Sequence, residues 1–250
     1  MRCTLRTLLL LLLATTTLCA QRSRNLHTLS SDLSVRQLSP GVWLHTWWQE
    51  VEGWGRFTSN GLIVVSNGEA LLIDTPVNDT MTAQLLDWIA RDLHTPVRRA
   101  ILTHAHSDRM GGIGELKRRG IVSYAQPRTI EWAAEQGWQR PDSALAVEQR
   151  VAVGNRTVLA WFPGPGHAPD NMVVWLERER LLYGGCLVKA EDAESIGYVG
   201  DAVVVQWPQT IRRVSARFSK AKTVIPGHGV IGGRRALRRT LELLKETAQP

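Results

Sequence analysis

The sequence predicts an α/β fold in which two strand-rich, helix-containing halves pack their sheets together and cover them with helices. Three observations predict it. Short apolar runs cluster between Val42 and Ile73 and again between Leu145 and Tyr183, helical periodicities interrupt and follow them, and glycine or proline turns end them. Val42 to Trp48 and Gly61 to Val65 read as strands. The turn Ser66-Asn67-Gly68-Glu69 joins the second of these to Ala70-Leu71-Leu72-Ile73 as a hairpin, because Asn-Gly accepts the positive φ of a tight connection. Asn78 or Asp79 caps a helix running to about Leu93, with Leu85, Leu86, Trp88, Ile89 and Leu93 on its apolar side. Ala100-Ile101-Leu102-Thr103 is an apolar strand, and a helix follows near Arg128 to Gln136. Strands dominate from about Leu145 to Tyr183, and helices recur near Pro208 to Phe218 and Arg234 to Thr247. This pattern alone leaves α/β and α+β both open.

Chemistry concentrates in His104-Ala105-His106-Ser107-Asp108-Arg109, which places three metal-ligand side chains in five positions directly after an apolar strand. Side chains two apart diverge on a helix, and on a strand they share a face but stand roughly 6–7 Å apart along it, so an irregular loop is needed to converge all three on one centre. Met110-Gly111-Gly112 then reads as flexible backbone. Three more donors sit in turns that end apolar runs: His167 after Pro163-Gly164-Pro165-Gly166, Cys186 after Gly184-Gly185, and His228 after Pro226-Gly227. Imidazole, carboxylate and thiolate all suit Zn²⁺, which keeps a coordination position open for water in catalytic sites. Six donors suffice for two metals. His27, His45 and His94 lack this setting and read as surface or packing histidines.

Arg2 and Arg6 precede the apolar run Leu8 to Ala14, and a polar, small stretch ends at Ala20. This is the layout of a secretory signal covering residues 1–20, which leaves a single domain over 21–250. The run is too short for a membrane span, so no stable membrane anchor is expected. Cleavage removes Cys3 and Cys19 and leaves Cys186 alone, which favours a ligating thiol over a disulfide. With 44% hydrophobic residues and ten tryptophans, the remainder can bury a substantial core. The formal charge of +7 falls to +5 once Arg2 and Arg6 leave. The basic residues gather in helical stretches such as Lys117-Arg118-Arg119 and Arg234-Arg235, and no nucleic-acid motif accompanies them.

Taken in order and at their intervals, His104-x-His106-x-Asp108-Arg109, Gly166-His167, Gly185-Cys186 and Gly227-His228 resemble the subclass B1 metallo-β-lactamases over nearly the whole mature chain. The resemblance implies an αββα sandwich, two mixed sheets flanked by helices, with the metal site at the sheet edges. It also implies two Zn²⁺ ions, one held by His104, His106 and His167 and the other by Asp108, Cys186 and His228. Arg109 and Cys186 are the discriminating positions, because other hydrolases of the superfamily resemble this pattern with histidine after the aspartate and aspartate in place of the cysteine.

The implied reaction is hydrolysis of the β-lactam amide of penicillins, cephalosporins and carbapenems, which confers antibiotic resistance, by a periplasmic monomer. Zinc lowers the pKa of its bound water from ~15.7 to ~7, so the implied nucleophile is a zinc-bound hydroxide that Asp108 helps to orient. Lys189 matches the position that pairs with the substrate carboxylate. Trp54, in the polar, glycine-rich stretch Gln49 to Arg56, resembles the tip of a hairpin that closes over bound antibiotic. The family pattern Gly-Asn-x-Gly-Asp becomes Gly197-Tyr198-Val199-Gly200-Asp201 here, which makes the Tyr198 hydroxyl the candidate substrate contact. Asp74 and Arg109 are expected to orient the site without ligating. Two alternatives remain from the residues: a zinc hydrolase of the same fold acting on thioesters or lactones, and a noncatalytic zinc-binding interaction protein.

Overall fold

A computed structural model describes residues 26–247, so the expected signal segment lies outside the described residues. The first half runs β1 (Leu26–Ser30), β2 (Leu33–Ser39), β3 (Val42–Val51), β4 (Gly55–Ser66), β5 (Glu69–Ile73), α1 (Asp79–Asp92), β6 (Val97–Leu102), α2 (Ser107–Met110), α3 (Ile113–Arg118), β7 (Val122–Ala125) and α4 (Pro127–Glu135). After it come β8 (Ser143–Ala144), β9 (Glu148–Val153), β10 (Arg156–Trp161), β11 (Val173–Leu176), β12 (Leu181–Gly185), α5 (Trp207–Arg217), β13 (Thr223–Pro226) and α6 (Arg235–Thr247). Strands β1 to β8 form one sheet in sequence order, and a second sheet has the order β13-β12-β11-β10-β9. Both sheets are mixed: pairing is antiparallel from β1 to β5 and from β9 to β12, then parallel among β5, β6, β7 and β8 and between β12 and β13.

Side-chain alternation along the strands builds the layers. Leu62 and Val64 of β4, Leu71 and Ile73 of β5 and Ile101 of β6 face inward. They meet Val158 and Ala160 of β10, Val174 and Leu176 of β11, and Tyr183 of β12, forming the core between the sheets. The intervening residues face out. Ile63, Leu72, Ala100 and Leu102 pack beneath α1 with Leu85, Leu86, Trp88 and Ile89, while Leu159, Val173, Leu182 and Val224 pack beneath α5 and α6. The result is the αββα sandwich. Helix α1 starts where Asn78 accepts a hydrogen bond from the Met81 amide at 2.8 Å.

Three features depart from the sequence reading. β1 and β2 were not expected, because their polar residues mask an alternation that buries Leu33 and Val35. β3 and β4 run past the expected strand ends at Trp48 and Gly61 and take in the stretch between them, as one long hairpin paired from Val42↔Val64 to Val51↔Gly55. Gly111 and Gly112 serve close packing rather than flexibility: a Cβ would lie 2.1 Å from the Val77 carbonyl at the first and 1.9 Å from Thr82 Oγ1 at the second. Among the described residues, no helix is long and apolar enough to cross a membrane.

Candidate active site

The sheets meet at one edge. An isolated bridge joins Ser59 to His228, and the Asn60 amide donates to the Gly227 carbonyl at 2.8 Å. His104 follows β6 by one residue, and Thr103 before it is pinned by Asp74, whose carboxylate accepts from the Thr103 amide at 2.7 Å and hydroxyl at 2.8 Å. The convergent geometry expected of an irregular loop is completed by a single helical turn: His106 is the N-cap of α2 and Asp108 lies in its first turn. Because β12 and β13 are parallel, they deliver Cys186 and His228 to the same edge, where the Gly227 amide donates to the Gly185 carbonyl at 2.7 Å. A Cβ on Gly227 would lie 2.6 Å from Cys186 Sγ, so only glycine permits this approach. His167 sits in the segment between β10 and β11, held where Asn171 accepts from the Ala168 amide and donates to the Gly164 carbonyl. Asp170 ties that segment to the first half, accepting from the Ala105 amide at 2.9 Å and Thr129 Oγ1 at 2.7 Å.

All six expected donors converge. Three groups have ligand atoms within 4.8 Å of one another: His104, His106 and Asp108; His104, His167 and Cys186; and Asp108, Cys186 and His228. His104 Nε2 faces His106 Nδ1 at 3.0 Å, and the His167 ring centroid lies 5.1 Å from that of His104 and 5.3 Å from that of His106. Around the other group, His228 Nε2 is 3.1 Å from Asp108 Oδ2, and Cys186 Sγ is 3.2 Å from His228 Nε2 and 3.5 Å from Asp108 Oδ2. Tetrahedral zinc bonds of ~2.0–2.3 Å place neighbouring ligand atoms roughly 3.3–3.8 Å apart, so these atoms stand within a few tenths of an ångström of the spacing a shared cation sets. The donor chemistry fits too. Burial holds His104 and His167 well below the usual imidazole range, which keeps their lone pairs free. Burial pushes the Cys186 thiol up despite Arg109, a penalty that a bound cation removes.

Outer partners select which nitrogen faces inward. His228 Nδ1 donates to the Thr58 carbonyl at 3.1 Å, leaving Nε2 toward Asp108 and Cys186. His106 Nε2 pairs with Asp201 Oδ2 at 3.1 Å, leaving Nδ1 toward His104. Arg109 is fully buried: it donates to Asp108 Oδ2 at 2.9 Å, to the carbonyls of Asn60 at 2.6 Å and Gly227 at 2.9 Å, and to the Tyr183 hydroxyl at 2.9 Å. Burial would raise Asp108, but the Arg109 charge and the His228 bond outweigh it and hold the carboxyl well below its usual range. Asp74, whose pKa burial raises to about 6 against the pull of Arg109, stays behind the donors and accepts from Tyr183 at 2.6 Å.

At the mouth, the half-exposed Lys189 lies with Nζ 5.4 Å from the centroid of the Trp207 ring, and burial lowers its pKa against the attraction of Cys186 and Asp108. Trp54 tips the β3–β4 hairpin, exposed and edge-on to Tyr198 with centroids 6.5 Å apart. The Tyr198 ring is 6.0 Å from that of His106, and its hydroxyl donates to Asp201 Oδ2 at 3.1 Å. Sequence reasoning missed Asp201, Asp170, Tyr183 and Asn60 as supports. Asp201 stood in a quoted motif, yet nothing in the chain pairs it with His106, 95 residues away. Tyr183 and Asn60 look like ordinary strand residues.

Two sheets back to back between helices, with His, Asp and Cys donors gathered where the sheet edges meet, define a metal-binding protein. A family model described as the metallo-beta-lactamase superfamily matches residues 54–228. The metallo-beta-lactamase type 2 of Bacteroides fragilis is 41% identical over 218 residues, 87% of this chain and 88% of that protein. Its counterpart in Bacillus cereus is 38% identical over 213 residues, 85% of this chain and 83% of that one. A solved metallo-beta-lactamase from Pontibacter korlensis superposes with a TM-score of 0.83 at 38% identity, covering 85% of this chain and 99% of that one. The chain belongs to the metallo-β-lactamase superfamily.

Proposed function

We propose that this chain is a subclass B1 metallo-β-lactamase that hydrolyses the β-lactam amide of penicillins, cephalosporins and carbapenems. The observation that carries the subclass is the pairing of Cys186 with Asp108 and His228, backed by the buried Arg109. His104, His106 and His167 would hold one Zn²⁺, and Asp108, Cys186 and His228 a second. Bound zinc supplies an activated water at neutral pH and polarises the carbonyl under attack.

The chain's own groups do the rest. Asp201 and the Thr58 carbonyl orient His106 and His228, so neither ligand spends freedom on finding its geometry. Lys189 offers its ammonium to the substrate carboxylate, and the nearby Trp207 ring limits its motion. Trp54 covers the apolar side of the substrate and sheds water. Tyr198 lines the mouth through its ring, and its hydroxyl donates to substrate only by leaving Asp201. Asp74 holds Thr103 and with it the start of the donor loop. The protein acts as a periplasmic monomer after removal of residues 1–20.

Metal analysis of the purified protein tests the assignment. Two equivalents of zinc are expected, with one retained tightly in Cys186→Ser. A Cys186→Ser protein that holds two equivalents as tightly as the parent contradicts the second site.

A further inference from the structure

Residues of β2, β3 and β4 in the eight-stranded sheet and of β10, β12 and β13 in the five-stranded sheet line one shared space. There a cleft of about 970 Å³ opens, and none of the six metal-site donors lines it. Ligand pockets typically span ~300–1,000 Å³ with apolar walls and a few placed polar groups. Leu38, Leu44, Leu181, Ile231 and Trp48 supply the walls. Arg36 and Arg178 stand exposed at it with no carboxylate in ion-pair range among the described residues. Arg156 and Glu179 also line the cleft, but pair with each other at 2.5 Å, so two positive charges remain over an apolar floor.

The cleft's inner wall holds the metal-site turn. Asn60 and Thr58 line it; Asn60 Nδ2 donates to the carbonyls of Pro226 at 3.0 Å and Gly229 at 2.9 Å, and the Thr58 carbonyl accepts from His228 Nδ1. Thr46, also in the wall, donates to Asn60 Oδ1 at 3.1 Å. We propose that this cleft is a second ligand site, for a small amphipathic anion, and that its occupant acts on the His228 turn. The anionic head meets Arg36 and Arg178, and the apolar body lies along Leu38, Leu44 and Trp48. A body pressed against Asn60 and Thr58 shifts the groups that position His228. The coupling to metal rests on the proposed role of His228, whereas binding itself does not.

The test uses the fluorescent anion 1-anilinonaphthalene-8-sulfonate and its uncharged relative N-phenyl-1-naphthylamine on the folded, zinc-loaded protein. Saturable binding of one anion per chain is expected, undisturbed by mercaptoacetate, a thiol that occupies the metal site. The double substitution Arg36→Gln, Arg178→Gln, at exposed positions, should leave the melting temperature unchanged and weaken the anion at least tenfold while sparing the uncharged relative. Anion binding that the double substitution leaves intact, or that mercaptoacetate displaces, overturns the site. With the cleft saturated, affinity for the second zinc should change at least threefold, read by chelator competition. Unchanged zinc affinity overturns the coupling. The dye titration repeated on the zinc-free protein separates the two: binding there with the same arginine dependence stands even if the metal assignment fails.

Discussion

At the scale of single residues, the site is a set of lone pairs aimed by partners outside it. Asp201 lies beyond the donors yet sets which nitrogen of His106 faces His104. Its replacement in Asp201→Ala should lower zinc affinity or turnover by about 10–100-fold, the usual cost of losing an outer partner of a metal ligand. Tyr198→Phe separates two roles for that hydroxyl. If the hydroxyl serves Asp201, steady-state kinetics should show kcat falling less than about tenfold with KM unchanged; a rise in KM alone would place the hydroxyl on the substrate instead. Cys186→Ser should cost activity at least as heavily as Asp201→Ala, because it removes a donor outright.

At the scale of elements, glycines decide how closely the donor loop docks. Gly111 and Gly112 have ordinary negative φ values, of −61° and −96°, so close approach to Val77 and Thr82 rather than backbone freedom demands them. Gly112→Ala should destabilise the fold by about 1–3 kcal/mol, the range for overpacking, in urea unfolding of the metal-free protein. An unchanged midpoint would mean that Thr82 moves aside at no cost. These two positions show where sequence reading fails: Met110-Gly111-Gly112 reads as slack because the carbonyl that excludes a Cβ belongs to Val77, more than thirty positions earlier. The six converging side chains were legible because they stand in or just after turns that end apolar runs. The strands behind them were legible for the same reason, since Leu71, Ile73 and Ile101 alternate with the residues facing α1. β1 and β2 were not, because the edge strand β1 buries no residue fully and β2 buries only Leu33 and Val35, so their polar residues hide the period.

At the scale of the whole molecule, the metal-free protein carries several buried histidines, which sets its response to acid. Burial lowers the pKa of His45 to about 3, below the ordinary 6.5, so the folded state excludes a proton that the unfolded chain binds. Its contribution is therefore complete above pH 6.5 and is lost as pH falls toward 3, at about 1.4 kcal/mol per pH unit for one such group. His104, His167 and His228 shift the same way. Asp74 opposes them, since its raised pKa favours the folded state as pH falls through about 6. The melting temperature of the zinc-free protein should thus fall steadily from pH 6.5 to 4.5, and His45→Gln should make that slope shallower. A flat profile over this range would contradict neutral burial of these rings.

The most direct test of the central claim follows the loss of carbapenem absorbance by the purified protein, then with a chelator, then with zinc restored. Turnover that the chelator abolishes and added zinc recovers is the predicted result. A folded sample shown to hold two zinc ions, yet inert toward carbapenems, penicillins and cephalosporins alike, would contradict it.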